Sequence, residues 1–197
     1  MHIINAIKTG DVNEAPRLEA MLSHTIQSNK EREMAYVRQA THDALTGCKN
    51  RRAFDSDIAE LLNAQQPFAM ALVDIDNFKS INDTLGHLTG DIVLRNVARE
   101  GIQIMQPHHV SVYRYGGEEF AVIFQAEQMS SALSLLEAWR TAVEKRVWRE
   151  ENLRVTFSGG LGEWHFEPLE QFVGSVDNAL YSAKQQGKNR IVRTSIS

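Results

Sequence analysis

The chain lacks several features that would assign it to a class at once. Its 197 residues include a single cysteine, Cys48, which excludes an internal disulfide and indicates a reducing compartment. No apolar run is long enough to cross a membrane, and the first residues lack the apolar core of a signal peptide. We therefore expect a cytoplasmic protein with no membrane segment in this chain.

An excess of basic residues is also missing. The sequence carries 21 lysines and arginines against 25 aspartates and glutamates, a formal net charge of −4 at pH 7. Because nucleic-acid-binding proteins usually present a broad basic face, we expect no nucleic-acid partner, although a small basic site for phosphate stays compatible. The 43% of hydrophobic residues is ordinary for a globular protein, and the length suffices for one cored domain plus an appendage.

Residues 1–42 are polar and rich in helix formers, unlike the rest of the chain. The polar stretch 29–33 breaks the apolar seam formed by Leu18, Leu22, Ile26, Met34 and Val37. Two interpretations stay open, a surface helix packed on the domain and a dimerising stalk. We expect residues 1–41 to be an N-terminal helical linker or regulatory segment, through which an upstream sensor or input domain would act.

From Thr46 onward, strand-like and helix-like segments alternate. "PFAMALVDID" is a continuous apolar run that ends in carboxylates, which is typical of a central strand with a site at its C-terminal end. "HVSVYRY" and "EFAVIFQ" are two strands joined across Gly116 and Gly117, so we expect an antiparallel hairpin. Taken alone, the paired glycines would indicate an ordinary type I′ hairpin turn. The pattern predicts an α/β (α+β) fold with a mixed central sheet flanked by helices.

Two glutamates follow the paired glycines in "RYGGEEF". Adjacent strand residues point to opposite faces, so Glu118 and Glu119 cannot both lie on one solvent face. Asp74 and Asp76 point the same way in an extended segment, and Asp74 meets Glu118 if their strands are neighbours. Converging carboxylates bind Mg²⁺ or Mn²⁺ together with phosphate oxygens and water. The alternative role for either aspartate is to cap the following helix; we expect one to cap and the other to ligate.

Five blocks of the sequence resemble the GGDEF family of diguanylate cyclases. "RYGGEEF" is similar to the family signature in its GGEEF form, and "DIDNFKSINDTLGHLTGD" to the D-x-D-x-F-K-x-x-N-D-x-x-G-H-x-x-G-D block. Further family blocks are similar to "DALTGCKNRRAF", "VTFSGGLGE" and "ALYSAKQQGKNRI", in order and with family-like spacing. The resemblance covers about residues 42–193 and implies a GGDEF catalytic domain at 42–197.

The resemblance implies a palm-like fold similar to that of adenylyl cyclase catalytic domains. It implies the condensation of two GTP into cyclic di-GMP with release of two pyrophosphates, in a homodimer whose two sites face each other. The implied cofactor is Mg²⁺ or Mn²⁺, with two ions per active site. The alternative is a non-catalytic regulatory module that binds GTP or a cyclic dinucleotide, and a mononucleotide cyclase or polymerase-type palm is a third reading. The intact set of acids favours the enzyme.

The matched positions imply the roles of individual residues. Asp74 and Glu118 would ligate the metal with the backbone carbonyl of Ile75, and Glu119 would join a second metal site or accept the 3′-hydroxyl proton. Lys79 would stabilise negative charge in catalysis. The substrate-binding set would be Phe78 and Lys79 at the phosphates, Asn82 and Asp91 at the guanine edge, His87 beside the nucleotide, Gly116 and Gly117 in close backbone approach, and Lys184 and Lys188 at the β- and γ-phosphates.

Two features of the sequence bear on the residue roles that the resemblance implies. Taken alone, Lys184 and Lys188 are equally well explained as a solvated helix end that the helix dipole favours. The R-x-x-D pair that many family members use for product feedback corresponds here to Pro107 and Val110. Neither side chain makes charge-assisted contacts, so we expect no product inhibition through that site.

Overall fold

The computed structural model describes residues 14–194, and contacts divide the chain into two compact units that meet between Ala40 and Thr41. In the first unit the described residues lie in helix α1, which spans Glu14–Thr41 and confirms the prediction of an N-terminal helix. Residues 1–13 of the predicted segment lie outside the described residues. Pro16 lies in its first turn, where a missing backbone N–H costs no helical hydrogen bond. The side chain of Leu18 lies outside the described residues, and the rest of the predicted apolar seam is exposed: Leu22, Ile26, Met34 and Val37.

The second unit contains one five-stranded sheet with the strand order β2-β3-β1-β4-β5. The strands are β1 (Phe68–Ile75), β2 (Ser111–Arg114), β3 (Glu119–Gln125), β4 (Phe157–Glu163) and β5 (Ile191–Arg193). Strand β1 is antiparallel to both β3 and β4, and β5 is parallel to β4. The mixed sheet predicted from the alternating segments is therefore confirmed.

Helices cover both faces of this sheet. They are α2 (Arg51–Asn63), α3 (Phe78–Leu85), α4 (His87–Met105), α5 (Ala132–Lys145) and α6 (Leu169–Gln185). Short 3₁₀ turns are found at Gln106–His108 and Ala126–Ser131. Among the helices of residues 14–194, none is both long and apolar enough to span a membrane.

Strand β1 contributes side chains to two hydrophobic cores, one on each face of the sheet. Ala69, Ala71 and Val73 pack with α4 and α5, whereas the alternate residues Phe68, Met70 and Leu72 pack with α2 and α6. Because successive strand residues face opposite sides, a strand buried on both faces must be apolar at every position. This explains the continuous apolar run in the sequence and places its terminal carboxylates at the edge of the core.

Helix α6 lies very close to β4 because that strand is rich in glycine. A Cβ atom built on Gly160 would lie 2.2 Å from the carbonyl oxygen of Val176, so a side chain there would push the helix away. The close packing places Lys184, in the last turn of α6, beside Asp74 near the end of β1.

Candidate active site

Three acids meet where β1 ends. In the β1–β3 register Asp74 lies directly opposite Glu119, so the two side chains share one face of the sheet. Glu118 is the last turn residue before β3, and its carbonyl oxygen accepts a hydrogen bond of 3.4 Å from the backbone N–H of Ile75. The structure thus brings together the candidate metal ligands from both chain segments, with Glu119 as the direct neighbour of Asp74.

The acids destabilise one another's charged forms. Burial raises the pKa of Asp74, and repulsion from Glu118 and Asp76 adds to it, although Lys184 acts in the opposite direction. Burial likewise raises the pKa of Glu119, with further repulsion from Asp74. A partly buried group of like charges lowers its free energy by taking up a cation or a proton.

Lys184 is the cation that partly compensates these charges. Its Nζ lies 3.0 Å from Oδ2 of Asp74, with side-chain exposures of 34% for the lysine and 13% for the aspartate. It lowers the pKa of Glu119 as well as that of Asp74. The side chain carries a mobile charge on a flexible stem, so it can exchange the carboxylate for another anion.

The paired glycines do not form the type I′ turn that such a pair would indicate by itself. Neither Gly116 nor Gly117 has a left-handed φ. The backbone N–H groups of Tyr115 and Gly116 both donate to the carbonyl oxygen of Glu119, at 2.8 and 3.2 Å. A Cβ on Gly116 would lie 2.5 Å from Oε2 of Glu119, so the glycine is needed to admit the carboxylate. Gly117 is exposed and has open space around it, as a backbone approached by a ligand requires.

The expectation that one aspartate caps the helix after β1 is wrong. Residue Asn77, with a left-handed φ of 57°, precedes α3 and makes no side-chain cap. This turn leaves the buried Asp76 directed into the fold, where its carboxylate accepts hydrogen bonds from the hydroxyls of Thr156 and Ser158, at 2.7 Å each, and from the backbone N–H of Asn189 at 3.1 Å. Asp76 therefore joins β1 to β4 and to the loop before β5.

The second candidate lysine lies beyond the helix. Helix α6 ends at Gln185, and Gly187, with φ of 111°, follows the end as predicted. Lys188 lies in the next loop and donates from Nζ to Oδ1 of Asn77 at 2.5 Å. Lys184 and Lys188 therefore approach the end of β1 from a helix and from a loop, and they do not share a helical face.

The candidate guanine-binding residues lie on α3 and α4. A Cβ on Gly90 would lie 1.9 Å from Oδ1 of Asn82 and 3.2 Å from the ring of Phe78, so the Asn82 amide rests on backbone next to Asp91. Asp91 lies 3.9 Å from Arg95, measured from Oδ2 to Nη2. The remaining candidates, Lys79 and His87, are exposed.

The side chains at the end of β1 supply only some of the ligands that a divalent cation needs. Within residues 14–194 no three Asp, Glu, His or Cys side chains are close enough to hold a metal alone. Asp74, Glu118 and Glu119 do offer the hard oxygens that Mg²⁺ and Mn²⁺ prefer, and their mutual repulsion favours a cation. Mg²⁺ generally keeps water and phosphate oxygens in its shell, so an open acid set suits a metal that arrives with a phosphate ligand.

Sequence reasoning missed the contacts that hold the glycine turn from outside. Arg114 donates to the carboxylate of Asp43 and to the carbonyl oxygen of Gly117. Both charged residues stand in blocks with a family resemblance, but no spacing rule connects positions 71 residues apart. The available signal was a charged residue in each block: Arg114, two residues before the paired glycines, and Asp43, at the start of the first block.

Comparisons with known proteins agree with this architecture. The family model described as "Diguanylate cyclase, GGDEF domain" matches residues 40–190. Diguanylate cyclase VdcA of Vibrio cholerae is 37% identical over 169 residues, which cover 83% of this chain and 50% of the relative. Diguanylate cyclase DgcM of Escherichia coli K12 is 35% identical over 187 residues, covering 92% of this chain and 42% of DgcM. The chain spans half or less of the length of these two relatives.

Solved structures give the same family. The coiled coil and GGDEF domain of DgcB from Caulobacter crescentus, in complex with c-di-GMP, is 34% identical with a TM-score of 0.76, covering 90% of this chain and 99% of that one. The active GGEEF domain of a diguanylate cyclase from Vibrio cholerae is 31% identical with a TM-score of 0.67, covering 75% and 98%. As the five sequence blocks predicted, the chain belongs to the GGDEF family of diguanylate cyclase domains.

Proposed function

We propose that the protein is a diguanylate cyclase, which condenses two GTP molecules into cyclic di-GMP and releases two pyrophosphates. The observation that carries this proposal is the meeting of Asp74, Glu118 and Glu119 beside Lys184 at the end of β1. The names of the relatives support the choice of reaction, since the curated matches are diguanylate cyclases. An acid cluster beside lysines is the arrangement that a metal-bound triphosphate requires.

The acids would hold Mg²⁺ or Mn²⁺, with two ions per site. Asp74, Glu118 and the carbonyl of Ile75 would bind one ion, and Glu119 would contribute to the second. When bound, the metal supplies charge neutralisation at the triphosphate and lowers the pKa of the attacking hydroxyl. Asp74 must release Lys184 for this role, and the freed ammonium is then available to the phosphates.

The lysines would hold the triphosphate from two sides. Lys184 extends from the last turn of α6, while Lys188 lies in the loop that Asp76 fixes through the backbone of Asn189. The backbone amides of Phe78 and Lys79 would contact the phosphates, and the Lys79 side chain would stabilise the charge that develops on them. Gly117 would pass close beneath the nucleotide because its surroundings are open.

Asn82 and Asp91 would select guanine. Guanine presents N1–H and N2–H₂ donors and an O6 acceptor, which suit a carboxylate that only accepts and an amide that does both. Adenine would leave these groups unpaired, which costs a factor on the order of 10² in specificity. His87, exposed at the start of α4, would lie beside the nucleotide.

The proposed reaction forms a bond from the 3′-oxygen of one GTP to the α-phosphorus of the other. The bond from that phosphorus to the bridging oxygen of the β-phosphate breaks, and pyrophosphate leaves with the electron pair. The alternative role for Glu119, in place of binding the second ion, is to accept the proton of the 3′-hydroxyl, since burial and Asp74 raise the pKa of its carboxyl group. Repeating the step with the roles exchanged closes the ring.

A single site holds a single GTP, so the reaction needs a second copy of the domain. The simplest assembly is a two-fold homodimer with the sites facing each other. We assign residues 42–197 to the catalytic domain and residues 1–41 to a linker or regulatory segment that brings two domains together. We expect this dimer to form transiently, so the specific activity of the purified protein should fall on dilution. A specific activity that stays constant on dilution would contradict a transient dimer.

The test of the function is product analysis. The purified protein is incubated with Mg²⁺ and GTP, and in parallel with ATP, and the nucleotides are resolved by chromatography. We expect cyclic di-GMP and pyrophosphate from GTP and no cyclic product from ATP. Binding of GTP or cyclic di-GMP without turnover would instead identify a regulatory module, and a cyclic mononucleotide would identify a different cyclase.

A further inference from the structure

A single guanidinium group joins the tip of the glycine turn to the beginning of the catalytic unit. Arg114 donates from Nε and Nη2 to the carbonyl oxygen of Gly117, at 3.2 and 2.9 Å. From Nη1 it donates to both carboxylate oxygens of Asp43, at 3.1 and 3.2 Å. The planar guanidinium can make these contacts at once because its five N–H donors have a fixed geometry.

The anchor at the far end is itself fixed. Oδ1 of Asp43 accepts hydrogen bonds from the backbone N–H and the hydroxyl of Thr46, at 2.9 and 2.6 Å. The side chains of Asp43 and Arg114 are only 23% and 20% exposed, so water screens the ion pair poorly. The carboxylate is therefore held in one orientation before it receives the arginine.

The base of the turn has its own support. Tyr115 packs edge-on against Phe54 at 5.0 Å between ring centroids, and the guanidinium of Arg51 lies 3.6 Å from the Tyr115 ring. Gly117 is exposed at the tip, where a Cβ would meet open space. The bonds from Arg114 thus act at the point of the turn where packing is least.

We propose that Arg114 is a positioning residue, which fixes Glu118 and Glu119 by tying the carbonyl of Gly117 to Asp43. Gly117 is bonded to Glu118 in the chain, and Glu118 precedes the Glu119 that faces Asp74. A tip that moves by about 1 Å would displace both acids from the phosphates, a displacement that typically costs on the order of 10² in rate. The activity arm of this inference rests on the proposed cyclase function.

A second ion pair in the same unit provides a matched control. Arg146 donates from Nη1 to Oε1 of Glu100 at 2.6 Å, with side-chain exposures of 24% and 21%. Its burial matches that of the Arg114–Asp43 pair, but it joins the region after α5 to α4, and its guanidinium lies 5.3 Å from the ring of Trp148. Arg146→Ala therefore reports the cost of losing such a pair for the fold alone.

The experiment compares Arg114→Ala, the exchange Asp43→Arg with Arg114→Asp, and Arg146→Ala in the full chain. We expect Arg114→Ala to lower kcat for GTP by about 10- to 100-fold, while Arg146→Ala lowers the unfolding temperature similarly and leaves kcat near wild type. The exchange should recover only part of the unfolding temperature, because an arginine at position 43 cannot accept the two hydrogen bonds from Thr46. It should not recover kcat, because an aspartate at position 114 cannot donate to the Gly117 carbonyl. Recovery of kcat by the exchange would overturn the inference.

A second readout does not depend on turnover. Amide hydrogen exchange of the peptide spanning residues 115–119 should become faster in Arg114→Ala and stay unchanged in Arg146→Ala. If exchange at the turn is as slow in Arg114→Ala as in wild type, the positioning role is wrong. A wild-type protein without cyclase activity would refute the proposed function. The amide hydrogen exchange data would still decide whether Arg114 positions the turn.

Discussion

Two carboxylates in the stretch "LVDID" are surrounded in opposite ways. Asp76 is buried, and its carboxylate accepts hydrogen bonds from the hydroxyls of Thr156 and Ser158 and from the backbone N–H of Asn189. In the region around Asp74, Glu118 and Asp76 repel the charged carboxylate, Glu119 lies directly opposite it in the register, and Lys184 is the cation that opposes these charges. A carboxylate satisfied by neutral donors holds elements together, whereas one crowded by like charges is available to a cation. Asp76 has a structural role and Asp74 belongs to the candidate site because their neighbours differ, although the residue type is the same.

The largest effect should come from neutralising the crowded acids. Glu119→Gln or Asp74→Asn should lower cyclic di-GMP formation by on the order of 10³-fold, since each removes a charge that faces the triphosphate. The unfolding temperature should stay the same or rise, because the change removes repulsion. Glu127→Gln, at an exposed acid in the 3₁₀ turn Ala126–Ser131, is the control for charge alone. Full activity in both site variants would refute the assignment of the acids.

For Asp76, whose carboxylate is fully hydrogen-bonded, we expect a loss of stability and not of catalysis. Asp76→Ala leaves the hydroxyls of Thr156 and Ser158 and the N–H of Asn189 without their acceptor, which should cost about 3 kcal/mol of unfolding free energy. Denaturant titration measures this loss. Activity should fall only as the folded fraction falls; a fully stable Asp76→Ala protein would contradict the contrast between the two regions.

Substrate choice should respond to a third region, on α3 and α4. Asp91→Ala should reduce the preference for GTP over ATP by about 10²-fold, because the guanine donors then lose their acceptor. The ratio of kcat/KM for the two nucleotides measures the change. Arg95→Ala, which removes the neighbour of Asp91 on the same helix, is the control. An unchanged ratio in Asp91→Ala would exclude contact between this residue and the base.

The raised pKa values predict the pH dependence of stability. The folded protein holds the protons of Asp74 and Glu119 more tightly than the unfolded chain, whose carboxyls titrate near 3.8 and 4.5. Stability from these groups is therefore present below those values and is lost as pH rises through the higher folded pKa values. Denaturant unfolding of wild type and Glu119→Gln across this range should give a smaller loss in the variant. Parallel curves would show that Glu119 is not perturbed.

The smallest effect concerns product feedback. Pro107 lies in a 3₁₀ turn and Val110 is buried, and neither supplies a charge at the positions where many family members carry R-x-x-D. We therefore expect no inhibition by product binding at this site: cyclic di-GMP added at the start of the reaction should leave the initial rate unchanged. Inhibition that disappears in Pro107→Ala would show that the surface binds product in spite of its residues.

Much of the fold could be predicted because burial leaves a periodic signal. The apolar run of β1 indicated a strand buried on both faces, and its terminal acids indicated a site at the C-terminal end. The hairpin of β2 and β3 and the end of α6 before Gly187 follow equally local rules. These features depend on neighbours in the chain, which a sequence displays directly.

The rest depended on partners that are distant in the chain. The glycines of the turn are explained by the carboxylate of Glu119 above Gly116, not by a turn type, and that side chain is oriented by the sheet register. One of the two aspartates was expected to cap the helix because the actual partners of Asp76 lie 80, 82 and 113 residues away in the chain. The link from Asp43 to the turn is likewise visible only after folding.

The central claim is that Asp74, Glu118 and Glu119 hold divalent cations together with the phosphates of a guanine nucleotide. Titration of Mn²⁺ followed by electron paramagnetic resonance, with a non-hydrolysable GTP analogue present, tests it most directly. We expect wild type to bind Mn²⁺ tightly only with the analogue, and Asp74→Asn to lose that binding while retaining the fold. Equal Mn²⁺ binding by wild type and Asp74→Asn, or equal binding with an ATP analogue, would contradict it.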